Sequence, residues 1–253
     1  MRVMQLLRQA QQLAPGDFSH IASDYARFQP EYATAVLQDL LHHVGAPAPD
    51  FVAADIGAGT GIWSRQLQAA GVRCFCIEPN EPMRQLGAAQ ANETAVWLNG
   101  TAEDTTLPTA SVNWITVAAA FHWLHHDRAM AEFARILKPK GYLTLLRHPL
   151  AKEQDGVVTA VSDCIDSYLP AKPPKEKKHQ QATETLQANP AFGNLHYLEA
   201  QHLHPLNTAA YLAVVASLPQ ATHLFAKLQL LLKATSQLTI AYQTQAWTVQ
   251  KVA

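Results

Sequence analysis

The sequence predicts an α/β protein built on a seven-stranded, mostly parallel sheet with helices on both faces. Three observations predict it. Short apolar runs alternate with amphipathic stretches between residues 51 and 147, which implies successive βαβ units. The first and fourth runs, 51–56 and 112–119, are almost continuously apolar, as strands covered on both sides must be. The turn after the first run holds Gly57, Gly59 and Gly61, at the place where an open parallel sheet meets its ligands.

Taken in order, residues 1–14 have helical spacing, with Val3, Leu6, Leu7 and Leu13 apolar among Gln and Arg. Pro15-Gly16 stops them, and residues 18–28 read as a short helix ending before Pro30. Tyr32, Val36, Leu37, Leu40, Leu41 and Val44 form one helical stripe closed by Gly45. Strands are expected at 51–56, 72–78, 94–98, 112–119 and 141–147, and helices between them at 61–70, 81–91 and 126–137. His125 or His126 starts the last helix with Asp127, and Lys138-Pro139-Lys140-Gly141 ends it. Beyond residue 150 the rhythm changes. Residues 152–169 look helical, and a Pro- and Lys-rich turn at 169–181 leads into a polar helix. Residues 194–206 and 238–251 read as strands, with apolar helices at 208–217 and 221–234 between them. The expectation is a single domain, 1–253, with an N-terminal helical cap (1–45), a core (46–150), and cap helices with the last two strands (151–253).

The bulk properties narrow the function. A length of 253 residues suits one large domain, and 48% hydrophobic with 15% charged residues gives ample core material. A net charge of −1 supplies no global field for nucleic acid or an anionic membrane, so neither is an expected partner. Cys74 and Cys76 lie two apart in a strand and share a face, and no second pair completes a zinc site. With Cys164 they are expected to be reduced thiols, which points to the cytoplasm. The first residues lack the apolar core of a signal peptide, and no run approaches the roughly 18 apolar residues of a membrane span. Among the twelve histidines, His125 and His126 are adjacent and diverge, while His202 and His204 share a strand face without a third partner. No metal site is expected.

The glycines lie between strand one, which ends at Asp55-Ile56, and a helix. Glycine there permits positive φ and close backbone approach. The spacing is G-x-G-x-G. A dinucleotide fingerprint needs a glycine where Ile62 stands, and a phosphate loop needs Lys-Ser/Thr where Ile62-Trp63 stand. No Lys or Arg lies within the loop. A nucleoside ligand without phosphates fits better. Strand two ends at Glu78, whose carboxylate can accept from both hydroxyls of a ribose.

The motifs "DIGAGTG", "IEPN..M", "GTAED..LP", "AAAFHW" and "ILKPKGYL" occur in this order. Over about residues 18–148 the chain resembles the Rossmann-like S-adenosylmethionine-dependent methyltransferases. Within them it is similar to the methyltransferase type 11 branch, including trans-aconitate methyltransferases. The resemblance implies S-adenosylmethionine as cofactor, S-adenosylhomocysteine as product, and a set of contacts. Gly57, Ala58 and Gly59 would lie under the methionine part. Asp55 would help fix the loop and the amino group, and Glu78 would bind the ribose. Pro79, Asn80 and Met83 would flank the adenine, with the Ala102 amide and the Glu103 side chain at its edge. Tyr25 and Arg27, from "YARFQPEY", would close over the cofactor, Arg27 meeting its carboxylate.

At the reacting end, Ala118, Ala119 and Ala120 are small and leave room for the cofactor, while His122 and Trp123 would lie beside the substrate. His122 serves either as general base or as a positioning group. Arg147 or His148, at the end of strand five, borders the pocket, and Arg147 could clamp an acidic acceptor. The expected function is methyl transfer to a small molecule at O, N or C. Methylation of tRNA or protein, and a non-catalytic cofactor-binding role, are the alternatives.

Overall fold

A computed structural model of the chain describes residue 22 and residues 29–168, 176–216 and 222–252. The expected helices at 1–14 and 18–28, with Tyr25 and Arg27, lie outside the described residues apart from Ala22, which is helical. The elements, in chain order, are α1 (Thr34–Val44), β1 (Val52–Ile56), α2 (Ile62–Ala69), β2 (Arg73–Ile77), α3 (Glu81–Ala89) and β3 (Ala95–Leu98). Then follow β4 (Val112–Ala118), a 3-10 turn (Phe121–Trp123), α4 (His126–Ile136), β5 (Leu137–Arg147), α5 (Gly156–Asp166) and α6 (Glu176–Ala188). The chain closes with β6 (Phe192–Asn207), α7 (Thr208–Ala216), α8 (Thr222–Leu231) and β7 (Gln237–Lys251).

The seven strands form one sheet in the order β3-β2-β1-β4-β5-β7-β6. Strands β1 to β5 are parallel, and β7 pairs antiparallel with both β5 and β6. The central strands alternate their side chains between two cores, which is why they read as continuous apolar runs. Ala54, Ile56, Ile115 and Val117 face α4 and α6, packing with Met130, Phe133 and Leu186. Ala53, Cys74, Cys76, Trp114 and Leu146 face α1 and α2, packing with Leu40, Trp63 and Leu67. Cys74 and Cys76 therefore share a face, as their spacing predicts, and all three cysteines are free thiols. A third cluster joins α5, α7 and α8 through Val161, Ile165, Tyr211, Leu224 and Leu228. The apolar residues of the late helices thus form a core of their own.

Several boundaries differ from the sequence reading; α6 begins at Glu176, inside the turn expected at 169–181. The Pro-Gly stop expected to precede strand five lies inside it. Val112 pairs with Leu137, but the next register pair is Trp114 with Tyr142, so Lys138–Gly141 are looped out as a wide bulge. Lys140 takes a positive φ of 62° there. The helix expected from residue 152 starts at Gly156, because Asp155 caps it, its Oδ1 accepting from Val157 N at 2.8 Å. Among the described residues, no helix is long and apolar enough to cross a membrane.

Candidate functional site

In the sheet order, the chain leaves β1 toward β2 on one side, while β4 and β5 lie on the other. The carboxyl ends of β1 and β4 therefore flank a topological switch point, where α/β sheets bind ligands. The glycine loop follows β1 and Ala118–Ala120 end β4. They touch: a Cβ on Gly57 would lie 2.7 Å from the Ala120 Cβ.

The three glycines answer to different neighbours. All have positive φ: 67° at Gly57, 59° at Gly59 and 81° at Gly61. A Cβ on Gly61 would come within 2.9 Å of the Trp97 ring, so that glycine serves packing. A Cβ on Gly59 would meet nothing nearer than the Met83 sulfur, at 4.0 Å. Gly59 is thus the position where the backbone faces open space. The loop is tied down from the β2 side. Gly57 N and Ala58 N donate to Ile77 O at 2.9 and 3.1 Å, and Gly59 N donates to Glu78 Oε2 at 2.8 Å.

Glu78 is buried, and its other oxygen accepts Asn80 N at 2.8 Å. Asn80 in turn caps α3, accepting from Met83 N, which seats Met83 beside the loop. Burial raises the Glu78 pKa, and the two amides that bond its carboxylate oppose that rise. A carboxylate offers about four lone-pair positions, so each oxygen retains acceptor capacity.

Asp55 is bonded to the elements on either side of the loop. It is fully buried; Oδ2 accepts the Ser64 hydroxyl at 2.6 Å and Oδ1 accepts the Thr116 hydroxyl at 3.0 Å. It ties β1 to α2 and β4. Desolvation pushes its pKa up to about 7. Neither Ser64 nor Thr116 is evident from sequence, since their roles depend on pairing across the sheet.

Glu103 sits at the mouth of the next loop, where its Oε1 accepts from His125 N, the N-cap residue of α4, at 2.8 Å. Ala102, beside it, is buried in the core, and Pro79 is exposed. Ala119 holds a positive φ of 55° and donates its N–H to Leu146 O at 2.9 Å. A non-glycine residue in that region costs on the order of 1 kcal/mol, and such strain gathers at functional sites. His122 and Trp123 follow on the 3-10 turn, exposed and 4.5 Å apart between ring centroids.

The cleft itself runs from the glycine loop past Ala118 to Tyr32, Trp63 and His148. Sequence reading placed Tyr32 only on a helical stripe and gave Trp63 no role; the position of Trp63, directly after the glycines, was the available signal. Of the two residues at the end of β5, His148 reaches the cleft and Arg147 points to the opposite face, beside Tyr197. His148 stacks on Tyr242 with centroids 4.8 Å apart at 6°. Its pKa is pushed down to about 3, by burial first and by His202 and His204 next. Histidines 148, 202 and 204 are neighbours, yet among the described residues no group of three His, Cys, Asp or Glu side chains could hold a metal ion.

A parallel sheet with a glycine loop at its switch point and a strand-end acid beside it is an arrangement that suits a nucleoside ligand. Comparison with known proteins narrows the class. Residues 54–145 match the family model described as a methyltransferase domain. An uncharacterised methyltransferase of Mycobacterium tuberculosis, Rv3342, is 34% identical over 129 residues, 51% of each chain. The chain thus matches about half the length of that curated relative. Among solved structures, a candidate type II methyltransferase from Anaeromyxobacter dehalogenans superposes with a TM-score of 0.64 at 24% identity, covering 89% of this chain and 98% of that one. Phosphoethanolamine N-methyltransferase 2 of Haemonchus contortus, solved with S-adenosylhomocysteine, gives 0.54 at 13% identity, covering 99% of this chain and 60% of that one. At these identities the structural likeness is one of fold.

Proposed function

We propose that this chain transfers a methyl group from S-adenosylmethionine to a small-molecule acceptor at O, N or C. One observation carries the reading: a buried acid at the end of β2 is bonded to a glycine loop, with no Lys or Arg among its own residues, at the sheet's switch point. That pairing suits a ribose without phosphates. The methyltransferase domain at 54–145 supports it.

When bound, the cofactor supplies a methyl group already activated on a sulfonium. The chain's own task is to align an acceptor with it and exclude water. Glu78 accepts from the ribose hydroxyls, and Gly59 lets the ligand lie against the backbone. Pro79 and Met83 flank the base, with Ala102 and Glu103 at its edge. Ala119 leaves room at the end of β4, and Tyr25 and Arg27 close the site. His122 and Trp123 border the acceptor, His122 taking its proton or holding it in place. The compartment is the cytoplasm.

Calorimetric titration of the purified chain with S-adenosylmethionine and S-adenosylhomocysteine tests the cofactor, and release of S-adenosylhomocysteine with candidate acceptors tests turnover. Saturable binding with turnover on small metabolites is expected. Failure of both compounds to bind a folded sample would sink the proposal, and turnover on tRNA or protein alone would replace the acceptor. His122→Ala with full activity and intact cofactor binding removes His122 from the mechanism.

A further inference from the structure

Three side chains lining the cleft carry buried polar atoms that no group among the described residues satisfies: the Thr60 hydroxyl, and two ring nitrogens, Trp63 Nε1 and His148 Nε2. Trp63 is 2% exposed and His148 8%. Both rings flank Tyr32, at centroid distances of 5.3 Å and 5.0 Å. An unmet buried donor costs about 1–3 kcal/mol, so two beside one cleft call for a ligand.

The bonding around His148 fixes what it offers. Ala33 N donates to Thr244 Oγ1 at 2.8 Å. Thr244 is fully buried, so its hydroxyl proton needs an acceptor, and among the described residues its one other bond is to His148 Nδ1, at 2.8 Å. Nδ1 therefore accepts, and the neutral ring carries its proton on Nε2. The indole Nε1–H can only donate. Among the described residues lining the cleft there is no acid and no lysine or arginine. An ammonium group would find no counter-charge there, whereas an oxygen acceptor would find two unmet N–H donors.

Position separates this end of the cleft from the nucleoside. Glu78 marks the end of β2 and His148 the end of β5, three strand spacings away in the order β2-β1-β4-β5. At ~4.8 Å each, that is roughly 14 Å between Glu78 and His148 along the sheet.

The geometry points to Trp63 Nε1–H and His148 Nε2–H as a donor pair that binds a carboxylate or carbonyl oxygen of the methyl acceptor. This rests on the methyl-transfer reading above. It selects oxygen-bearing acceptors over amines, and it makes His148 and Trp63 specificity-determining residues.

The test is nuclear magnetic resonance on 15N-labelled protein, following the Trp63 indole and His148 imidazole signals, with Trp63→Phe and His148→Gln giving the assignments. The probes are acetate, benzoate and citrate, each added to protein saturated with S-adenosylhomocysteine, against ethylamine and benzylamine. His148 should show the Nε2–H tautomer before any addition. At least one carboxylate should then shift both signals saturably, and the amines should not. His148→Gln should weaken that carboxylate roughly five- to tenfold while leaving affinity for S-adenosylhomocysteine within twofold. If S-adenosylhomocysteine alone shifts both signals, 5′-methylthioadenosine does not, and carboxylates add nothing, the donors bind the cofactor's own carboxylate and the assignment is overturned. Equal response to amines, an Nδ1–H tautomer, or no response to any probe on cofactor-loaded protein also overturns it. Failure of S-adenosylhomocysteine to bind at all sinks the methyl-transfer reading instead.

Discussion

The carboxylate of Glu78 accepts the amide of Gly59 at 2.8 Å, so the acid that ends β2 holds the glycine loop that ends β1. The same group would grip the ribose, which couples loop geometry to ligand binding. Glu78→Ala leaves the amides of Gly59 and Asn80 without their acceptor. It should cost about 1–3 kcal/mol in urea unfolding. It should also weaken S-adenosylhomocysteine by tenfold or more in calorimetry. Because burial raises the Glu78 pKa, wild-type affinity should fall as the pH is lowered toward that raised value. Glu78→Gln should remove the fall.

Gly57 and Gly59 share a positive φ but differ in what surrounds them. Gly57→Ala adds left-handed strain and drives a methyl to 2.7 Å from the Ala120 Cβ. It should destabilise by about 2–4 kcal/mol. Gly59→Ala meets only the Met83 sulfur at 4.0 Å and should cost about 1 kcal/mol. Its methyl occupies the ligand side, so cofactor affinity should suffer most there. Thermal melts beside calorimetry should show the two variants in opposite order of severity.

Asp55 and His148 should tilt the pH–stability curve in opposite senses. Asp55 titrates near 3.8 when unfolded and about 7 when folded. Its folded pKa is raised, so its contribution is complete below pH 4 and is lost as pH rises to 7. The loss is up to about 4 kcal/mol. His148 titrates near 6.5 unfolded and about 3 folded, so its contribution holds above pH 6.5 and is lost as pH falls toward 3. Asp55→Asn keeps an acceptor for one of the two hydroxyls, Ser64 or Thr116, and sets an amide donor against the oxygen of the other. It should flatten the decline between pH 4 and 7 in denaturant titrations, and His148→Gln should flatten the acid side. A parallel shift of either curve without a change of slope would contradict the assignment.

What was legible in the sequence follows from what is local. The alternation of strand and helix, the start of α4 at His125-His126 and the shared face of Cys74 and Cys76 depend on neighbours within a few residues, and all hold. The bulge at Lys138–Gly141 was hidden because Pro and Gly signal a stop equally well outside a strand or within one. The contents of the cleft were less legible still. Thr244 reaches His148 across 96 positions and Ala33 across 211, and no spacing rule connects them. The loop carried a misleading cue as well: three glycines in five positions suggested one ligand-driven cause, yet Gly61 answers to Trp97.

Trp97 makes the sharpest packing test. A Cβ on Gly87 would lie 2.1 Å from its ring, and one on Gly61 2.9 Å, so the indole lies in a notch made by two absent side chains. Gly87 lies inside α3 without a positive φ, so an alanine there is free of backbone strain and gains about 0.5–1 kcal/mol of helix propensity. In the wild type the clash should overwhelm that gain, and Gly87→Ala should destabilise by about 2–3 kcal/mol. Trp97→Leu alone should cost a similar amount by leaving the notch unfilled. With Leu at 97 the notch has room for a methyl, so Gly87→Ala should become neutral or stabilising in that background. The double-mutant cycle should therefore show a favourable coupling above about 1 kcal/mol. Simple additivity of the two changes would mean that the indole is not what keeps position 87 bare.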